Sequence, residues 1–484
     1  MEREAESQAR GKTASQQHNT ALSQSIIGGI VACLDAVIVV GVGLLIYVTY
    51  VGWASEHSSI YLAAFTITAL LILQTFYQVG LYKFNRIIRP AAQIGKIVTT
   101  LTVIFLALVT FTFALKISAE LSRVWAFSWF LSSTMLMILI RFGVFFLVQG
   151  WAQKGKLTRN ILLFGGGKEG ERILEFLSDN PEPWNRVMGV FDDRRSRLGP
   201  DVAGHPIIGN LDDLIQFARK NRSDDVLVAL PWIARQRIEE ISRRLQVLPT
   251  NVHLCADFVS SGFLHRRVRH HYGVPVLNIA DKPVAGWNAV VKMFIDFGLS
   301  SVTLALTAPL MLIIALAIKL ESRGPVFFQQ NRYGFNNQLI KVLKFRTMYV
   351  DQQDDDAERL TSRGDPRVTR VGAILRGSSL DELPQLINVL RGEMSIVGPR
   401  PHALKAKAAG QLYEEAVAQY AVRHKVKPGI TGWAQVNGWR GETDTHEKLM
   451  KRVEHDLYYI EHWSFLLDVR IILKTPLVFL KNAY

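Results

Sequence analysis

Two carboxylates stand side by side in the C-terminal third of the chain, at Asp381 and Glu382, in a region rich in arginine. Adjacent carboxylates can bind Mg²⁺ when water and a substrate phosphate complete its octahedral shell. Two like charges this close split their titrations unless a metal ion or an arginine compensates them. Carboxylates, cationic phosphate ligands and a metal ion together suit phosphoryl chemistry.

The same two residues also fit a structural interpretation. Ser379-Leu-Asp-Glu382 has the form of a capping box, in which Ser379 would begin a helix and Glu382 would bond back to it. Pro384 follows just past the first turn and fits this start less well. The local pattern favours the cap, but a helix N-terminus also offers free N–H groups to a phosphate, so both interpretations stay open.

Basic residues occur on both sides of the acidic pair. Several lie beside glycine or proline, as in Pro399-Arg-Pro401, where turns are expected. Lys344 and Arg346 are two residues apart and would share one face of a strand. Arginine suits bidentate phosphate binding, although each arginine taken alone is more often a solvated surface charge. The candidate phosphate ligands are Lys344, Arg346, Arg376, Arg400 and Arg440.

The elements that must position these residues begin with membrane segments. The chain has 484 residues, is 49% hydrophobic and carries a formal net charge of +14. A polar tail at 1–24, predicted to be disordered, precedes four apolar runs long enough to cross roughly 30 Å of hydrocarbon, near 26–51, 58–79, 97–117 and 125–149. Basic residues concentrate after the second and fourth runs, which places both ends of the predicted bundle, 25–150, in the cytoplasm. Beside membrane segments, the positive charge suits anionic lipid or a phosphorylated substrate better than nucleic acid.

Two charged residues, Asp35 and Arg141, interrupt the apolar runs. A buried partnership within the bundle and a path for lipid or substrate are both open interpretations. The two cysteines, Cys33 and Cys255, lie in an apolar run and a strand-like run, and they provide neither a disulfide framework nor the spacing of zinc ligands.

Residues 158–280 alternate between strand and helix patterns, which predicts a Rossmann-like α/β domain. The strand at 160–164 leads into a turn where Gly165, Gly167 and Gly170 match G-x-G-x-x-G. Asp192 ends the next strand, where an acid would bind a ribose. Glycine turns also serve close packing of helix on sheet, so a structural or regulatory role is favoured over a catalytic one.

A further apolar stretch, 297–320, is long enough to span a membrane but contains Pro309 near its middle. Proline removes a helical hydrogen bond and clashes with the preceding turn. Basic residues, Lys292 among them, flank both ends and favour a cytoplasmic position for both. The segment 292–322 is therefore predicted to dip into one leaflet as two helices with a break at Ala308-Pro309; a kinked span is the alternative.

Five ordered motifs carry a resemblance to a known family. They are Gly324-Pro-Val-Phe-Phe-Gln329, Lys344-Phe-Arg-Thr-Met348, Ser379-Leu-Asp-Glu-Leu-Pro-Gln-Leu386, Met394-Ser-Ile-Val-Gly-Pro-Arg-Pro401 and Lys427-Pro-Gly-Ile-Thr-Gly-Trp433. By these motifs, residues 285–484 resemble the bacterial polyprenyl-phosphate sugar-1-phosphate transferases, the monotopic phosphoglycosyl transferases. Arg332-Tyr-Gly-Phe-Asn-Asn337 and Gly438-Trp-Arg-Gly-Glu-Thr443 look most like the glucose phosphotransferases that start exopolysaccharide synthesis, with galactose as the second choice of sugar.

The resemblance implies a two-step reaction. Asp381 would attack the β-phosphate of a UDP-sugar and release UMP, and undecaprenyl phosphate would then attack the aspartyl phospho-sugar. Mg²⁺ at Asp381 and Glu382, homodimers, contact with membrane lipid and a site on the cytoplasmic face of the bacterial inner membrane are implied as well. The implied phosphate ligands are Lys344, Arg376 and Arg400, supported by Arg346, with Arg440 near the nucleotide.

The predicted fold is thus a membrane α plus α/β protein: a four-helix bundle, a Rossmann-like domain, and an α/β catalytic domain at 285–484 anchored by a re-entrant helix. Two other functions remain compatible with the sequence. One is a nucleotide-sensing membrane regulator, for which Asp381 would be dispensable. The other is a glycosyltransferase that makes undecaprenyl-phospho-glucose and releases UDP. The released nucleotide and the need for Asp381 distinguish the three.

Overall fold

The computed structural model describes most of the chain, and these residues form two compact units, Met1–Thr158 and Arg159–Tyr484. The predicted disordered tail lies outside the described residues except for Gln24. The described residues are 24–52, 58–194, 199–255, 269–271, 274–352, 365–402, 407–408, 411–413, 420–439 and 445–481.

Apolar sequence in the first unit forms long helices, as predicted. In chain order the helices are α1 (Gln24–Ile46, continued by a π turn at Tyr47–Val51), α2 (Ser58–Val79), the short α3 (Phe84–Ile87), α4 (Ala91–Ala114) and α5 (Arg123–Gln153). All but α3 are long and apolar enough to cross a membrane.

The helices of this unit pack around buried aromatic side chains. Trp125 and Trp129, one turn apart on α5, stack with their ring centroids 4.8 Å apart. Their indole N–H groups donate to the carbonyls of Gly43 and Val39 at 3.1 and 2.8 Å, which satisfies the polar end of each buried ring. A Cβ on Gly43 would lie 2.7 Å from the Phe65 ring, so glycine is what lets α1 approach the aromatic core.

Asp35 and Arg141 bind each other between α1 and α5. Two guanidinium nitrogens of Arg141 donate to the two carboxylate oxygens of Asp35 at 3.0 and 2.7 Å, and both side chains are buried. The third nitrogen, Nε, donates to Oε1 of Gln93 at 3.2 Å. This bidentate pair satisfies both charges in apolar surroundings. The structure therefore favours the buried partnership over a path for lipid or substrate.

Replacing Arg141 by methionine should destabilise this unit, because Asp35 would stay buried without its partner. Removing one member of a buried ion pair costs about 3–5 kcal/mol, whereas apolar replacement of both members is often neutral. We expect the double variant Asp35→Leu/Arg141→Met to regain most of the thermal stability lost in Arg141→Met when both are melted in the same detergent. Equal losses in the single and double variants would contradict a pairing role.

The second unit begins with a sheet flanked by helices. Its elements are β1 (Arg159–Phe164), α6 (Lys168–Asp179), β2 (Asn185–Phe191), β3 (Asp201–Val202), β4 (His205–Gly209), α7 (Leu211–Lys220), β5 (Asp225–Val228), α8 (Arg235–Leu245), β6 (Asn251–Cys255), β7 (Arg269–His271) and β8 (Val274–Ala280). The strand order is β3-β4-β2-β1-β5-β6-β8-β7, with β4, β2, β1, β5 and β6 parallel. This confirms the predicted Rossmann-like domain, because helices alternate with the strands of a mainly parallel sheet: α6 connects β1 to β2, α7 connects β4 to β5, and α8 connects β5 to β6.

The remainder of the second unit contains the acidic pair. Its elements are α9 (Gly286–Glu321), β9 (Phe327–Tyr333), β10 (Leu339–Phe345), α10 (Arg370–Ser378), α11 (Gln385–Leu390), β11 (Ser395–Val397), β12 (Lys407–Ala408), β13 (Gln411–Leu412), β14 (Gly429–Thr431), α12 (Trp433–Val436), α13 (His446–Glu461) and α14 (Phe465–Lys481). β9 and β10 form an antiparallel hairpin, and β11 pairs with β14 in parallel. A core that includes Val342, Val389, Met394 and Tyr459 joins these elements.

The helix α9 differs from the prediction in two ways. It continues without interruption through Pro309, so the predicted break at Ala308-Pro309 is not seen. A helix can continue past proline because only one backbone hydrogen bond is removed, at the cost of local distortion. In addition, Lys292 is 8% exposed and forms a salt bridge with Asp468, so it is not the free flanking charge that the sequence suggested.

Candidate active site

Asp381 and Glu382 lie on a tight turn between two helices. α10 ends at Ser378, Leu380–Glu382 forms a 3-10 turn, and α11 begins at Gln385 with Pro384 at its N-cap. The capping-box prediction is therefore wrong: Ser379 ends α10 and precedes the 3-10 turn in the left-handed conformation, at φ 58°, and its side chain makes no cap hydrogen bond. Such a conformation costs a non-glycine residue about 1–2 kcal/mol and is frequent at functional sites.

Glu382 binds two cations. Lys344 Nζ donates to Oε1 at 2.8 Å, Arg400 Nη1 donates to Oε2 at 3.1 Å, and Arg400 Nη2 also donates to Oε1. Burial alone would raise the pKa of Glu382, but Arg400 and Lys344 outweigh burial and hold that pKa well below its usual range. Glu382 is thus a charged anchor for two basic side chains.

Asp381 has a different environment although it is equally buried, at 8% exposed. Its nearest cation is Lys344, whose Nζ lies 3.8 Å from Oδ2. Burial raises the pKa of the Asp381 carboxyl, Lys344 opposes that rise, and the negative charge of Glu382 adds to it. The two carboxylates are therefore unequal: Glu382 is neutralised by its partners, and Asp381 is left available for chemistry.

Arg376 and Arg332 complete the cationic surroundings. Arg376 Nε donates to Thr347 Oγ1 at 2.9 Å, and the positive charge of Arg376 acts on Asp381. Arg332 Nη1 donates to the Pro401 carbonyl at 2.5 Å, and burial together with Arg400 lowers the pKa of Arg332 to about 10. The sequence analysis did not choose Arg332 as a ligand. The hairpin register was the missing information: it pairs Lys344 with Phe328 and Ile340 with Arg332, so Arg332 and Lys344 share a face.

Arg346, predicted from the sequence as a phosphate ligand, has a different role in the structure. β10 ends at Phe345, so strand alternation no longer governs Arg346. Its guanidinium is 1% exposed and donates to the carbonyls of Arg323 and Ser322, both at 2.8 Å. These carbonyls follow the end of α9 and lack helical partners, so Arg346 closes that helix and is unsuited to a phosphate. Arg440 lies outside the described residues.

A divalent metal ion fits Asp381 better than Glu382. Both oxygens of Glu382 already accept hydrogen bonds from Lys344 or Arg400, so direct ligation by Glu382 would have to displace a cation. Among the described residues there is no group of three or more His, Cys, Asp or Glu that could hold a metal ion. Mg²⁺ commonly takes one or two protein carboxylates and completes its shell with water and substrate phosphate, which one aspartate can support.

A second cluster of basic residues lies behind Arg400 and was missed by the sequence analysis. Arg423 Nη2 donates to the Arg400 carbonyl at 3.0 Å, and Arg423 Nε donates to Asp456 at 2.7 Å. The ring of His402 lies between Arg423, 3.0 Å from Nδ1, and Arg452, 3.1 Å from Nε2. Burial and these arginines hold the pKa of His402 well below its usual range, so the ring is neutral.

The glycine turn of the Rossmann-like domain is closed by its own residues. Oδ2 of Asp192 accepts the Gly166 N–H at 2.8 Å, and Oδ1 accepts the Arg194 N–H at 2.7 Å. A Cβ on Gly170 would lie 1.9 Å from the Gly165 carbonyl oxygen, so these glycines serve close packing. Gly165, Gly167, Gly170 and Asp192 do lie together at the carboxyl end of β1, but Asp192 is already bonded. A ribose there would have to displace these bonds, so the arrangement does not fit a dinucleotide in the usual mode.

Comparison with known proteins gives two family matches, one within the second unit and one that begins in the helices of the first unit and ends in the Rossmann-like sheet. The bacterial sugar transferase family model matches residues 287–482, and a CoA-binding domain model matches residues 77–256. A UDP-glucose:undecaprenyl-phosphate glucose-1-phosphate transferase of Escherichia coli is 38% identical over 417 residues, which is 84% of this chain and 87% of the relative. The chain belongs to the bacterial sugar transferase family.

Other members of the sugar transferase family are similar over less of their length. An undecaprenyl-phosphate glucose phosphotransferase of Komagataeibacter xylinus is 41% identical over 68% of this chain and 61% of the relative. A UDP-glucose:undecaprenyl-phosphate glucose-1-phosphate transferase of Xanthomonas campestris is 37% identical over 76% of this chain and 77% of the relative. Among solved structures, a match to a Rex-family repressor covers 23% of this chain and 57% of the repressor chain, at 20% identity and a TM-score of 0.18.

Buried neutral histidines make the stability of this sugar transferase depend on pH. Burial and the charges of Arg423 and Arg219 lower the pKa of His424 to about 3, below the usual value near 6.5. As the pH falls through 6.5, the unfolded chain takes up a proton that the folded chain refuses, so stability is lost. His424 alone should cost about 2 kcal/mol between pH 7 and pH 5.

The measurement is chemical unfolding in detergent at pH 5, 6 and 7 for the wild type and His424→Gln. We expect the variant to lose less stability on acidification than the wild type. Replacement of the exposed His446 by Gln is the matched control and should leave the slope against pH unchanged. An unchanged slope in His424→Gln would refute a neutral buried imidazole.

Proposed function

We propose that this sugar transferase moves glucose-1-phosphate from UDP-glucose to undecaprenyl phosphate and releases UMP, the step that starts an exopolysaccharide. The carrying observation is the unequal carboxylate pair, in which Glu382 holds Lys344 and Arg400 while Asp381 has one cation at 3.8 Å. The names of the E. coli and Xanthomonas relatives support UDP-glucose as donor and undecaprenyl phosphate as acceptor. Galactose-1-phosphate is the second candidate group.

The first step forms a bond between an Asp381 carboxylate oxygen and the β-phosphorus of the donor. The bond from that phosphorus to the UMP oxygen breaks, and UMP leaves. In the second step an oxygen of undecaprenyl phosphate attacks the same phosphorus, the aspartyl bond breaks, and Asp381 is regenerated. Covalent catalysis suits this transfer, because the water-soluble donor and the lipid acceptor need not be bound together.

The basic residues of the site would offset the negative charge of the donor. Lys344, Arg400 and Arg332 outnumber the carboxylates that they surround, and arginine forks match phosphate oxygens. Asp381, donor phosphate oxygens and water would hold Mg²⁺, which when bound would neutralise part of the diphosphate charge. The low pKa of Glu382 suits an anchor and not a proton donor at neutral pH.

A re-entrant path for α9 is part of the proposal; because the helix is continuous through Pro309, this path would require a bend at that proline. Its first turns contact Asp468 through Lys292 at 2.8 Å, and its last turn is closed by Arg346, so both ends contact one α/β domain. A domain that holds both ends cannot lie on both sides of a hydrocarbon layer about 30 Å thick. Between the ends Phe297, Leu306 and Leu312 are 58%, 77% and 72% exposed, as expected for a surface covered by lipid. We place the site on the cytoplasmic face of the inner membrane and propose a homodimer.

Asp381→Asn should abolish UMP release, because an amide cannot act as the nucleophile. With purified protein, undecaprenyl phosphate, Mg²⁺ and UDP-glucose, we expect a loss of at least about 1,000-fold. The matched control is Asp351→Asn, at an exposed acid beyond β10, which should retain full activity. UDP-galactose in place of UDP-glucose tests the sugar, and EDTA followed by added Mg²⁺ tests the metal.

The other outcomes have definite meanings. Release of UDP would show that a sugar without its phosphate is transferred, which is the glycosyltransferase alternative. Full activity in Asp381→Asn would exclude the aspartyl intermediate. No turnover with any donor, in protein that is folded by thermal melting, would favour the nucleotide-sensing regulator.

The path of α9 can be tested by labelling single cysteines in a Cys33→Ala/Cys255→Ala background. Asn288→Cys and Arg323→Cys lie at exposed positions near the two ends of α9. We expect a membrane-impermeant maleimide to label both in inside-out vesicles and neither in right-side-out vesicles. Glu120→Cys, between α4 and α5, should show the opposite pattern. Labelling of the two α9 positions from opposite sides would establish a span.

A further inference from the structure

The first turns of α9 are bound to the interior of the catalytic domain by a buried polar network. Lys292 Nζ lies 2.8 Å from Asp468 Oδ2 and donates to the Val397 carbonyl at 3.0 Å. The hydroxyl of Tyr459 lies 2.8 Å from Asp468 Oδ1 and 3.0 Å from the same Val397 carbonyl. Lys292, Asp468 and Tyr459 are 8%, 2% and 1% exposed. A membrane-inserted helix is thereby joined to one peptide group of β11.

A second contact lies one turn further along α9. Oδ1 of Asp296 accepts the Ile396 N–H at 3.0 Å and the Ser395 hydroxyl at 2.9 Å. Lys292 and Asp296 are four residues apart, so they lie on one face of the helix. The helix therefore binds consecutive residues of β11: Lys292 binds a carbonyl, and Asp296 binds an N–H.

β11 leads directly to Arg400, and the intervening backbone is fixed at each residue. The Gly398 N–H donates to the Thr431 carbonyl at 2.9 Å, and the Pro399 carbonyl accepts the Gly429 N–H at 3.0 Å. Proline at 399 restricts the backbone further, and the Arg400 carbonyl accepts from Arg423. A displacement of Val397 would consequently be passed to Arg400 instead of being absorbed by a flexible loop.

We propose that Lys292 and Asp468 are positioning residues, which hold Arg400 against Glu382 by fixing the Val397 carbonyl to α9. The inference rests on the proposed function, since it assigns Arg400 a part in stabilising the charge on the donor phosphate in the transition state of transfer. As a consequence, a change in the membrane insertion of α9 would also change the position of Arg400 relative to Glu382.

A buried ion pair contributes little net stability to a protein. Burying an ion pair costs desolvation that its attraction barely repays, and apolar residues of similar volume often stabilise as well or better. A directional role explains the choice, because the Lys292 ammonium binds both Asp468 and the Val397 carbonyl, which an apolar side chain at 292 could not do. If the pair served stability alone, its removal would lower the stability of the protein but leave the activity of each folded molecule unchanged.

The test compares Lys292→Met with Lys292→Arg, which restores a donor, and with Lys319→Met, the same change at an exposed lysine near the other end of α9. For folded protein we expect Lys292→Met to lower kcat for UMP release about tenfold, with little effect on KM, because small misplacement of catalytic groups is costly. Lys292→Arg should recover most of that loss, Asp468→Asn should repeat it, and Lys319→Met should behave as wild type.

A double-variant cycle decides whether the effect passes through Arg400. In an Arg400→Lys background, Lys292→Met should cause less than about a twofold further loss, since residues acting in one chain are not additive. Fully additive losses would overturn the proposal, as would a Lys292→Met variant that is less stable but catalyses normally.

Hydrogen exchange supplies a readout that needs no turnover. The peptide covering 394–402 should exchange faster in Lys292→Met than in the wild type, Lys292→Arg or Lys319→Met. If the wild type released no UMP, the proposed function would fail while this comparison still decided the positioning role. Unchanged exchange in Lys292→Met would overturn it.

Discussion

The ion pairs of Glu382 join three segments that are distant in sequence. Lys344 comes from β10, Glu382 from the turn after α10, and Arg400 from the loop after β11. A carboxylate that is 7% exposed can stay ionised only if cations replace its lost water. The catalytic domain must therefore bring these segments together, and the hairpin, the left-handed Ser379 and the proline-bounded loop all serve that requirement. The neighbouring Asp381 lies near the same cations, but they neutralise its charge less completely than that of Glu382.

The basic residues behind Arg400 add to the positive charge around the site. Arg423 is paired with Asp456, whereas Arg452 contacts the neutral ring of His402 and the Trp439 carbonyl. Like charges held this close in a buried region raise the local positive potential, which the low pKa of His402 reflects. The electrostatic cost of that arrangement would fall if an anion bound, as the proposed transfer from a sugar diphosphate requires.

The sequence was sufficient for features that depend on local pattern. Apolar runs predicted the long helices, alternating segments predicted the Rossmann-like sheet, and the acidic pair stood out by its chemistry together with Lys344 and Arg400. It was insufficient where tertiary contacts decide. Arg346 lies one residue past the end of a strand and turns to a helix terminus, and Lys292 resembles a flanking charge until Asp468, far along the chain, is placed beside it. Arg332 required the register of the hairpin, which no single strand encodes.

The glycine turn shows why a motif and its usual ligand need separate evidence. The same backbone N–H that would face a pyrophosphate, that of Gly166, donates to Asp192, the residue that would otherwise bind a ribose. Arg194 forms a salt bridge with Asp192. Glu169 and Glu171, in the first turn of α6, add negative charge where a phosphate would need positive potential. A ligand would have to break the Asp192 contacts and overcome that charge. The glycines of this turn serve packing, because Gly165 and Gly170 allow α6 to approach the sheet more closely than any side chain would permit.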